Sequence, residues 1–371
     1  MPLAIRSIKK IAISTGGGDA PGLNAVIRAI VLSATRRGWE CCGIRDGFNG
    51  LLMPDDFPHG GLVPLTAESV AGITHLGGTI LGTTNRGNPQ KFPVRQPDGS
   101  MLEVDRTDEL VDLFHAAGVD ALITIGGDGT LSIGHTLAEK GLRVVGVPKT
   151  IDNDLDRTFM TFGFDTAVGF ATECLDRLHT TAASHRRIMV VEVMGRYAGW
   201  IALHTGLAGN ADVILMPEIP FDIERVAECV RECERKGRNS AIVVVAEGAK
   251  PMGGALSVLG RAIGQAERLG GLGDRIAHEL EQRTGREART VVLGHLLRGG
   301  SPTSFDRLVA LRFGAAAVRA LVEGQSSVMV SLAPPTVRYE PLKVAVRRMK
   351  TVALDSDTVE TARDLGICFG D

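Results

Sequence analysis

Short apolar runs alternate with amphipathic stretches along most of the chain, and each run has the length of a buried strand. Lys9 to Thr15, Leu122 to Ile125, Val144 to Pro148, Ile188 to Val193, Ala241 to Val245 and Val291 to Leu293 predict strands. Between them, apolar positions recur at helical spacing. This predicts helices from about Asn24 to Arg37, Thr107 to Ala117, Asp165 to Thr181, Tyr197 to Leu207, Ile223 to Lys236 and Asp274 to Thr284. Strands alternating with helices predict an α/β protein with mainly parallel sheets. Two segments break the pattern. Gly77 to Pro89 is polar and glycine-rich without any period, and Gln90 to Asp105 reads as an exposed excursion.

At 371 residues the chain has room for about two domains. A net charge of -2, with only two Trp and two Tyr, asks for no nucleic acid or membrane partner and leaves little for base stacking. No apolar run approaches the roughly eighteen residues of a membrane span. The first ten residues are broken by charge too early for a signal-peptide core. A cytoplasmic, enzyme-like chain is the expectation. Of the six cysteines, Cys229 and Cys233 lie four apart on a predicted helix, but no histidine or second pair supports a metal site. All six are expected to be reduced, structural thiols.

The candidate chemistry gathers where apolar strands end. After Ile125 come Gly126-Gly127-Asp128-Gly129-Thr130 and then a helix, an arrangement that sets a carboxylate beside free N–H groups at a helix N-terminus and suits a metal-bound phosphate. The next strand ends in Lys149-Thr150-Ile151-Asp152-Asn153-Asp154. In a parallel sheet both turns share the C-terminal edge, so these polar groups converge. Gly16-Gly17-Gly18-Asp19 after the first strand is a further phosphate cradle, or equally a tight turn of any βαβ unit. In the second half, Arg187, Glu192-Val193-Met194-Gly195-Arg196, Glu247, Arg289 and His295 to Arg298 lie at strand ends or entrances. Arginines so placed suit a phosphate monoester, because the guanidinium fork can bond two oxygens at once.

Taken together, and in this order, these segments resemble the phosphofructokinase family over roughly residues 9 to 325. Gly-Gly-Asp-Gly-Thr alone is shared with NAD and lipid kinases, whereas Thr150-Ile151-Asp152-Asn153-Asp154 followed by Met194-Gly195-Arg196 is specific. The resemblance implies two Rossmann-like domains with the active site in the cleft between them. It assigns 1–162 plus about 297–345 to the phosphoryl donor, and about 163–296 plus 346–371 to the sugar phosphate. It further implies phosphoryl transfer to the 1-hydroxyl of fructose 6-phosphate. Asp152 is then the general base, Thr150 orients the phosphoryl group, and Lys149 and Arg196 assist catalysis. Asp128 holds Mg²⁺, with Asp154 supporting it. Gly17, Asn85, Arg86, Gly127, Gly129 and Thr130 lie along the donor. Met194, Gly195, Arg196, Glu247, His295 and Arg298 hold the sugar phosphate together with Arg187 and Arg289, which in the family reach in from a neighbouring subunit. A homo-oligomer, dimer or tetramer, is therefore implied. A silent sugar-phosphate sensor remains an alternative, against which stands the intact set Asp128, Thr150, Asp152 and Arg196.

Two positions bear on the donor. By the resemblance, glycine after the metal aspartate marks ATP users and aspartate marks diphosphate users, and here it is Gly129. Lysine before the threonine, here Lys149, is the diphosphate-type residue. Gly129 weighs more, because a like-charged block excludes a ligand whereas an added cation only helps, so ATP is the expected donor with diphosphate the alternative. Asn85, beside Arg86, stands where ordinary bacterial ATP users carry an arginine.

Overall fold

The computed structural model describes residues 8–85, 87–254, 258–260 and 268–371. The first part of the chain forms β1 (Lys10–Thr15), α1 (Leu23–Thr35), β2 (Glu40–Ile44), α2 (Asn49–Leu52) and β3 (Leu62–Leu65). Next come β4 (Phe92–Arg95), β5 (Met101–Val104), α3 (Thr107–Ala116), β6 (Ala121–Gly126), α4 (Asp128–Glu139) and β7 (Val144–Pro148). The middle holds α5 (Phe164–His185), β8 (Ile188–Val193), α6 (Trp200–Ala208), β9 (Val213–Leu215), α7 (Ile223–Arg235) and β10 (Ala241–Ala246). It continues with β11 (Val258–Gly260), β12 (Arg268–Leu269), α8 (Leu272–Thr284) and β13 (Ala288–Val292). The last part is α9 (Ser304–Val322), β14 (Val328–Ala333), β15 (Thr336–Pro341), α10 (Leu342–Ala345) and α11 (Asp357–Asp364).

Among the described residues the strands build a seven-stranded sheet ordered β15-β14-β7-β6-β1-β2-β3 and a four-stranded sheet ordered β13-β8-β10-β9. The smaller sheet is parallel throughout. The larger is parallel except where β3 and β15 close its two edges. Successive side chains alternate between faces, and both faces are covered. Ile11 and Ile13 pack with α1 and α9, whereas Ala12 joins Leu131, Leu137 and Phe114 on the other side. In the smaller sheet Met189, Val191 and Val193 share one core and Ile188 and Val190 another. Two-sided burial explains why these strands read as unbroken apolar runs.

The order of strands fixes where a ligand can sit. Chain direction across the larger sheet reverses at β1, which lies between β2 and β6. In the smaller sheet it reverses at β8, between β13 and β10. The C-terminal ends of strands at such switch points open into a crevice. Those ends carry Gly16 to Asp19 and Gly126 to Asp128 in one sheet, and Met194 to Arg196 with Leu293 to Arg298 in the other.

Three expectations are corrected. Gln90 to Asp105 is no bare excursion, since Phe92–Arg95 and Met101–Val104 pair as an antiparallel hairpin. The strand expected from Val291 begins at Ala288, because Ala288 and Arg289 already pair with Ile188 and Met189. Cys229 and Cys368 are joined as a disulfide, so not all six cysteines are free. Cys229 faces the C-terminal segment, where Cys368 bridges Val213, rather than Cys233 one turn along its own helix. No helix among the described residues is long and apolar enough to cross a membrane.

Candidate active site

The two glycine turns of the larger sheet lock into each other through Thr130. A Cβ on Gly16 would lie 2.6 Å from the Thr130 hydroxyl, and one on Gly126 would lie 2.3 Å from its Cβ. Only glycine therefore lets β1 and β6 end side by side with that threonine between them. Gly17 adopts φ 74°, a left-handed conformation in which its carbonyl accepts a 2.5 Å bond from the Thr83 hydroxyl. Residues 77–85 are thus a wall of the site. Its Thr84 carbonyl also accepts from the Gly17 amide at 3.3 Å. Asn85 follows on the exposed side of that wall. Arg86 lies outside the described residues.

Gly127 leads directly into α4, with Asp128 as its first helical residue. The N-terminus of this helix has no side-chain cap, and its first N–H groups stand beside the carboxylate. A Cβ on Gly129 would meet nothing within 4 Å. Packing within the chain therefore does not demand glycine there, and its missing side chain leaves open space at the helix start. Burial raises the Asp128 carboxyl above its usual range, and the negative charge of Asp154 adds to the effect.

The turn after β7 is held by its own hydroxyls. Thr150 Oγ1 accepts from the Asp152 amide at 3.1 Å, and the Thr150 carbonyl accepts from Thr161 Oγ1 at 2.7 Å. Lys149 is buried, and its Nζ donates to the Gly18 carbonyl, tying the end of β7 to the first glycine turn. Burial lowers Lys149 to about 7, helped by Arg298 and opposed by Asp19, Asp152 and Asp154. Asp152 is raised to about 7, by burial first and then by Asp154 and Glu247, with Arg298 and Lys149 opposing. Its Oδ1 is buried and has no hydrogen-bond partner among the described residues. Asp154 is raised as well, chiefly by burial.

Residues of the smaller sheet meet this turn from across the crevice. Arg298, in the short helical turn Gly294–Arg298, donates from Nη1 to the Asp19 carbonyl at 3.1 Å. A Cβ on Gly18 would lie 2.6 Å from the same Nη1, so the third glycine of the first turn makes room for a guanidinium from the other sheet. Met194, Gly195 and Arg196 follow β8. Gly195 adopts φ 139°, and its carbonyl accepts from the Gly248 amide at 3.1 Å, which seats Glu247 beside it. Burial raises the Glu247 carboxyl, while Arg196 and Arg298 hold it down. Arg196 lies over the Tyr197 ring at 5.7 Å. His295 is exposed at the same rim.

Arg187 and Arg289 stand elsewhere. They lie at the N-terminal edge of the smaller sheet, and both pair with Glu287, Arg187 through Nε at 2.5 Å. Six residues of β8 separate that edge from Met194, about 20 Å at strand rise. Within one chain, then, Lys149, Asp152, Asp154, Arg196, Glu247 and Arg298 are electrostatic neighbours around the crevice, whereas Arg187 and Arg289 stand apart from them.

Two contributors were not expected from the sequence. Thr83 sits in a segment whose composition was suggestive but whose partner, Gly17, is remote in the chain. Lys350 is a different case, because no motif surrounds it. Its Nζ donates to Asn153 Oδ1 at 2.9 Å, and burial lowers it to about 8 while Asp154 and Asp156 oppose the shift.

The phosphofructokinase family profile matches residues 10–321. A Chloroflexus aurantiacus protein named ATP-dependent 6-phosphofructokinase is 52% identical over 363 residues, covering 98% of both chains. A Streptomyces coelicolor protein named pyrophosphate–fructose 6-phosphate 1-phosphotransferase is 48% identical over 365 residues, covering 97% of this chain and all of its own. Among solved structures, the Pichia pastoris phosphofructokinase in the T-state superposes with a TM-score of 0.78 at 30% identity. The match takes in 97% of this chain and 37% of that longer one. With the profile matching residues 10–321 and relatives near half identity from end to end, the chain belongs to the phosphofructokinase family.

Proposed function

We propose that the chain transfers the γ-phosphoryl group of ATP to the 1-hydroxyl of fructose 6-phosphate, giving ADP and fructose 1,6-bisphosphate. The observation that carries this reading is the setting of Asp152. Its charged neighbours come from both sides of the crevice, Lys149 and Asp154 from its own turn and Glu247 and Arg298 from the smaller sheet. A base that takes a hydroxyl proton as phosphorus arrives has to stand between donor and acceptor, and it needs an oxygen not already engaged. The unpartnered Oδ1 of Asp152 meets that need.

On this reading the donor lobe comprises residues 1–162 and about 297–345, and the sugar-phosphate lobe comprises the remainder. The strands of the larger sheet come from the first set. Gly17, Gly127, Gly129 and Thr130 line the donor phosphates with backbone N–H groups and Asn85 lies at the rim, while Thr150 and Lys149 face the travelling phosphoryl. Arg196 and Arg298 hold the sugar 6-phosphate with His295, Met194 and Gly195, and Glu247 accepts from a sugar hydroxyl. The donor set suits Mg²⁺, since two neighbouring carboxylates that resist ionisation gain from a hard cation. Asp128 and Asp154 would hold it, and it would neutralise charge on the donor oxygens. Arg187 and Arg289 complete the sugar-phosphate site of a neighbouring copy in a homo-oligomer, dimer or tetramer. We assign the reaction to the cytoplasm.

Product analysis tests this reading. Fructose 6-phosphate and Mg-ATP should yield ADP and fructose 1,6-bisphosphate in equal amounts. ATP consumption that does not depend on the sugar phosphate would refute it.

A second prediction concerns pH. Asp152 acts as a base only when ionised, so kcat/KM should fall as pH drops through its pKa. That acid limb is expected near 7, not in the ordinary carboxylate range. Asp154→Asn removes a negative charge that raises Asp152, so it should move the limb to lower pH. A limb that stays put in that variant contradicts the coupling.

Diphosphate as donor is the second reading, and Lys149 favours it, as does the name of the Streptomyces relative. The ammonium stands at the first glycine turn, where a short donor would gain most from a fixed cation. Lys149→Met should therefore lower any diphosphate-dependent rate more than the ATP-dependent one. Equal losses with both donors would remove the lysine from donor choice.

A further inference from the structure

The C-terminal segment beyond residue 321 lies outside the family profile, yet part of it runs along the catalytic turn. Arg348 Nε pairs with Asp156 at 2.7 Å, Met349 bridges Leu155, and the Lys350 amide donates to the Asp154 carbonyl at 2.8 Å. The same short stretch is fastened to the other lobe. The Lys350 carbonyl accepts from Trp200 Nε1 at 3.0 Å, and the Val352 amide donates to Glu218 Oε1 at 2.9 Å. Glu218 in turn accepts from the Gly199 amide at the start of α6. Residues 348–352 thus form a strap between α6 and the turn that carries Thr150, Asp152 and Asp154.

The Lys350 side chain is the centre of that strap. Its ammonium has three acceptors: Asn153 Oδ1 at 2.9 Å, the Thr158 carbonyl at 3.1 Å and the Phe159 carbonyl at 3.0 Å. It also lies over the Trp200 ring at 5.4 Å. Three donors on one ammonium are matched by three oxygens from both limbs of a single loop, which is how a lysine clamps a backbone conformation. What it clamps is unusual. Asn153 sits between Asp152 and Asp154 with φ 51°, a left-handed conformation. Asn153 Oδ1 also accepts from the Thr161 amide at 3.2 Å, so one oxygen joins the lysine to the return limb of the loop.

We propose that Lys350 is a positioning residue for phosphoryl transfer, fixing through Asn153 and the carbonyls of Thr158 and Phe159 the turn on which Asp152 and Asp154 are mounted. This rests on the kinase reading above, and it adds Lys350, rather than the strap as a whole, to the residues that position that site. Lys350 does not touch the reacting atoms. Its effect is on the geometry of those that do, and misplacing a catalytic group by about 1 Å can cost roughly 10²-fold in rate.

The experiment compares wild type with Lys350→Met, which keeps the length of the chain without its charge. Asn153→Gly serves as a second variant, because glycine tolerates the left-handed conformation while removing the shared oxygen. Arg348→Ala is the control for merely disturbing the strap. Steady-state kinetics with fructose 6-phosphate and Mg-ATP are measured with hydrogen exchange of the 150–162 segment. For Lys350→Met the expected result is a kcat lower by roughly 10- to 100-fold with KM for the sugar phosphate nearly unchanged. Exchange should be faster at the Thr161 amide, and faster still in Asn153→Gly, which removes that amide's acceptor, while its loss of kcat should be the smaller of the two. Arg348→Ala should stay close to wild type in both readouts.

Wild-type kcat in Lys350→Met overturns the proposal, and so does a kcat loss accompanied by an equal rise in KM, which would place the damage in substrate binding. If wild type itself fails to phosphorylate fructose 6-phosphate, the kinase reading fails. Unchanged exchange in Lys350→Met would then separately overturn the clamp.

Discussion

Asp152→Asn is expected to lower kcat by roughly 10² to 10⁴ while leaving KM for fructose 6-phosphate within a few-fold of wild type, the scale of losing a general base. The substitution is nearly isosteric, and the Asp152 amide keeps its bond to Thr150 Oγ1, so the turn should hold its shape. Asparagine cannot accept a proton at physiological pH, and the acid limb of the rate profile should vanish with it. Binding should survive because the sugar phosphate is expected to be held by Arg196, Arg298 and Glu247, which lie on the other sheet. Steady-state rates with a direct measurement of sugar phosphate binding check both halves. Turnover within a factor of about three of wild type would remove Asp152 from the chemistry, since it falls far short of a general-base loss.

Gly129→Asp is expected to lower ATP-dependent kcat/KM by roughly 10²- to 10³-fold. A second carboxylate at the start of α4 would face the donor phosphates, and like charges forced together cost several kcal/mol, with each 1.4 kcal/mol worth about tenfold. The fold should tolerate the change. A Cβ at this position meets nothing, and an acidic residue in the first turn of a helix is favourable. Loss of ATP activity with an unaltered melting temperature is therefore the expected pair of results. Any diphosphate-dependent rate should be spared, because that donor is shorter. Unchanged ATP kinetics would mean that the open space beside Gly129 is not where the nucleotide lies.

Much of this was legible in the sequence because the residues concerned are close in the chain and sit at strand ends. Leu122 to Asp154 gave strand, glycine turn, helix and second strand in order, and the convergence of Asp128 with Asp152 follows from parallel pairing alone. The arginines of the second half were equally readable by position. The same argument separates Arg187 and Arg289 from the rest, since residues at a strand entrance cannot reach its exit. Less legible was whatever depends on segments far apart. β14 and β15 return from residues 328–341 to flank β7, and nothing local in them declares which sheet they join. The Cys229–Cys368 bond spans 139 residues of chain, and the sequence reading expected both as reduced thiols because nothing local declares the pairing. Lys350 is the furthest case. It carries no motif, lies almost two hundred residues from Asn153, and gains meaning only from three oxygens that the fold brings to it.

The lock between Gly18 and Arg298 shows how a glycine-rich turn acquires a specific reason. From sequence, three consecutive glycines after β1 were compatible with any tight βα turn. In the structure each has its own neighbour. Gly16 yields to Thr130, Gly17 supplies the left-handed turn, and Gly18 yields to a guanidinium from the opposite sheet. The last of these joins the two lobes at the crevice, so the donor turn packs against the arginine assigned to the sugar phosphate.

The most direct measurement of the whole account is a side-by-side comparison of initial rates on saturating fructose 6-phosphate with Mg-ATP and with Mg-diphosphate. The open helix start at Gly129 predicts rapid formation of fructose 1,6-bisphosphate with Mg-ATP and a slower rate, or none, with Mg-diphosphate. A rate confined to diphosphate would contradict the assigned donor, and no phosphorylation of the sugar by either would contradict the account at its root.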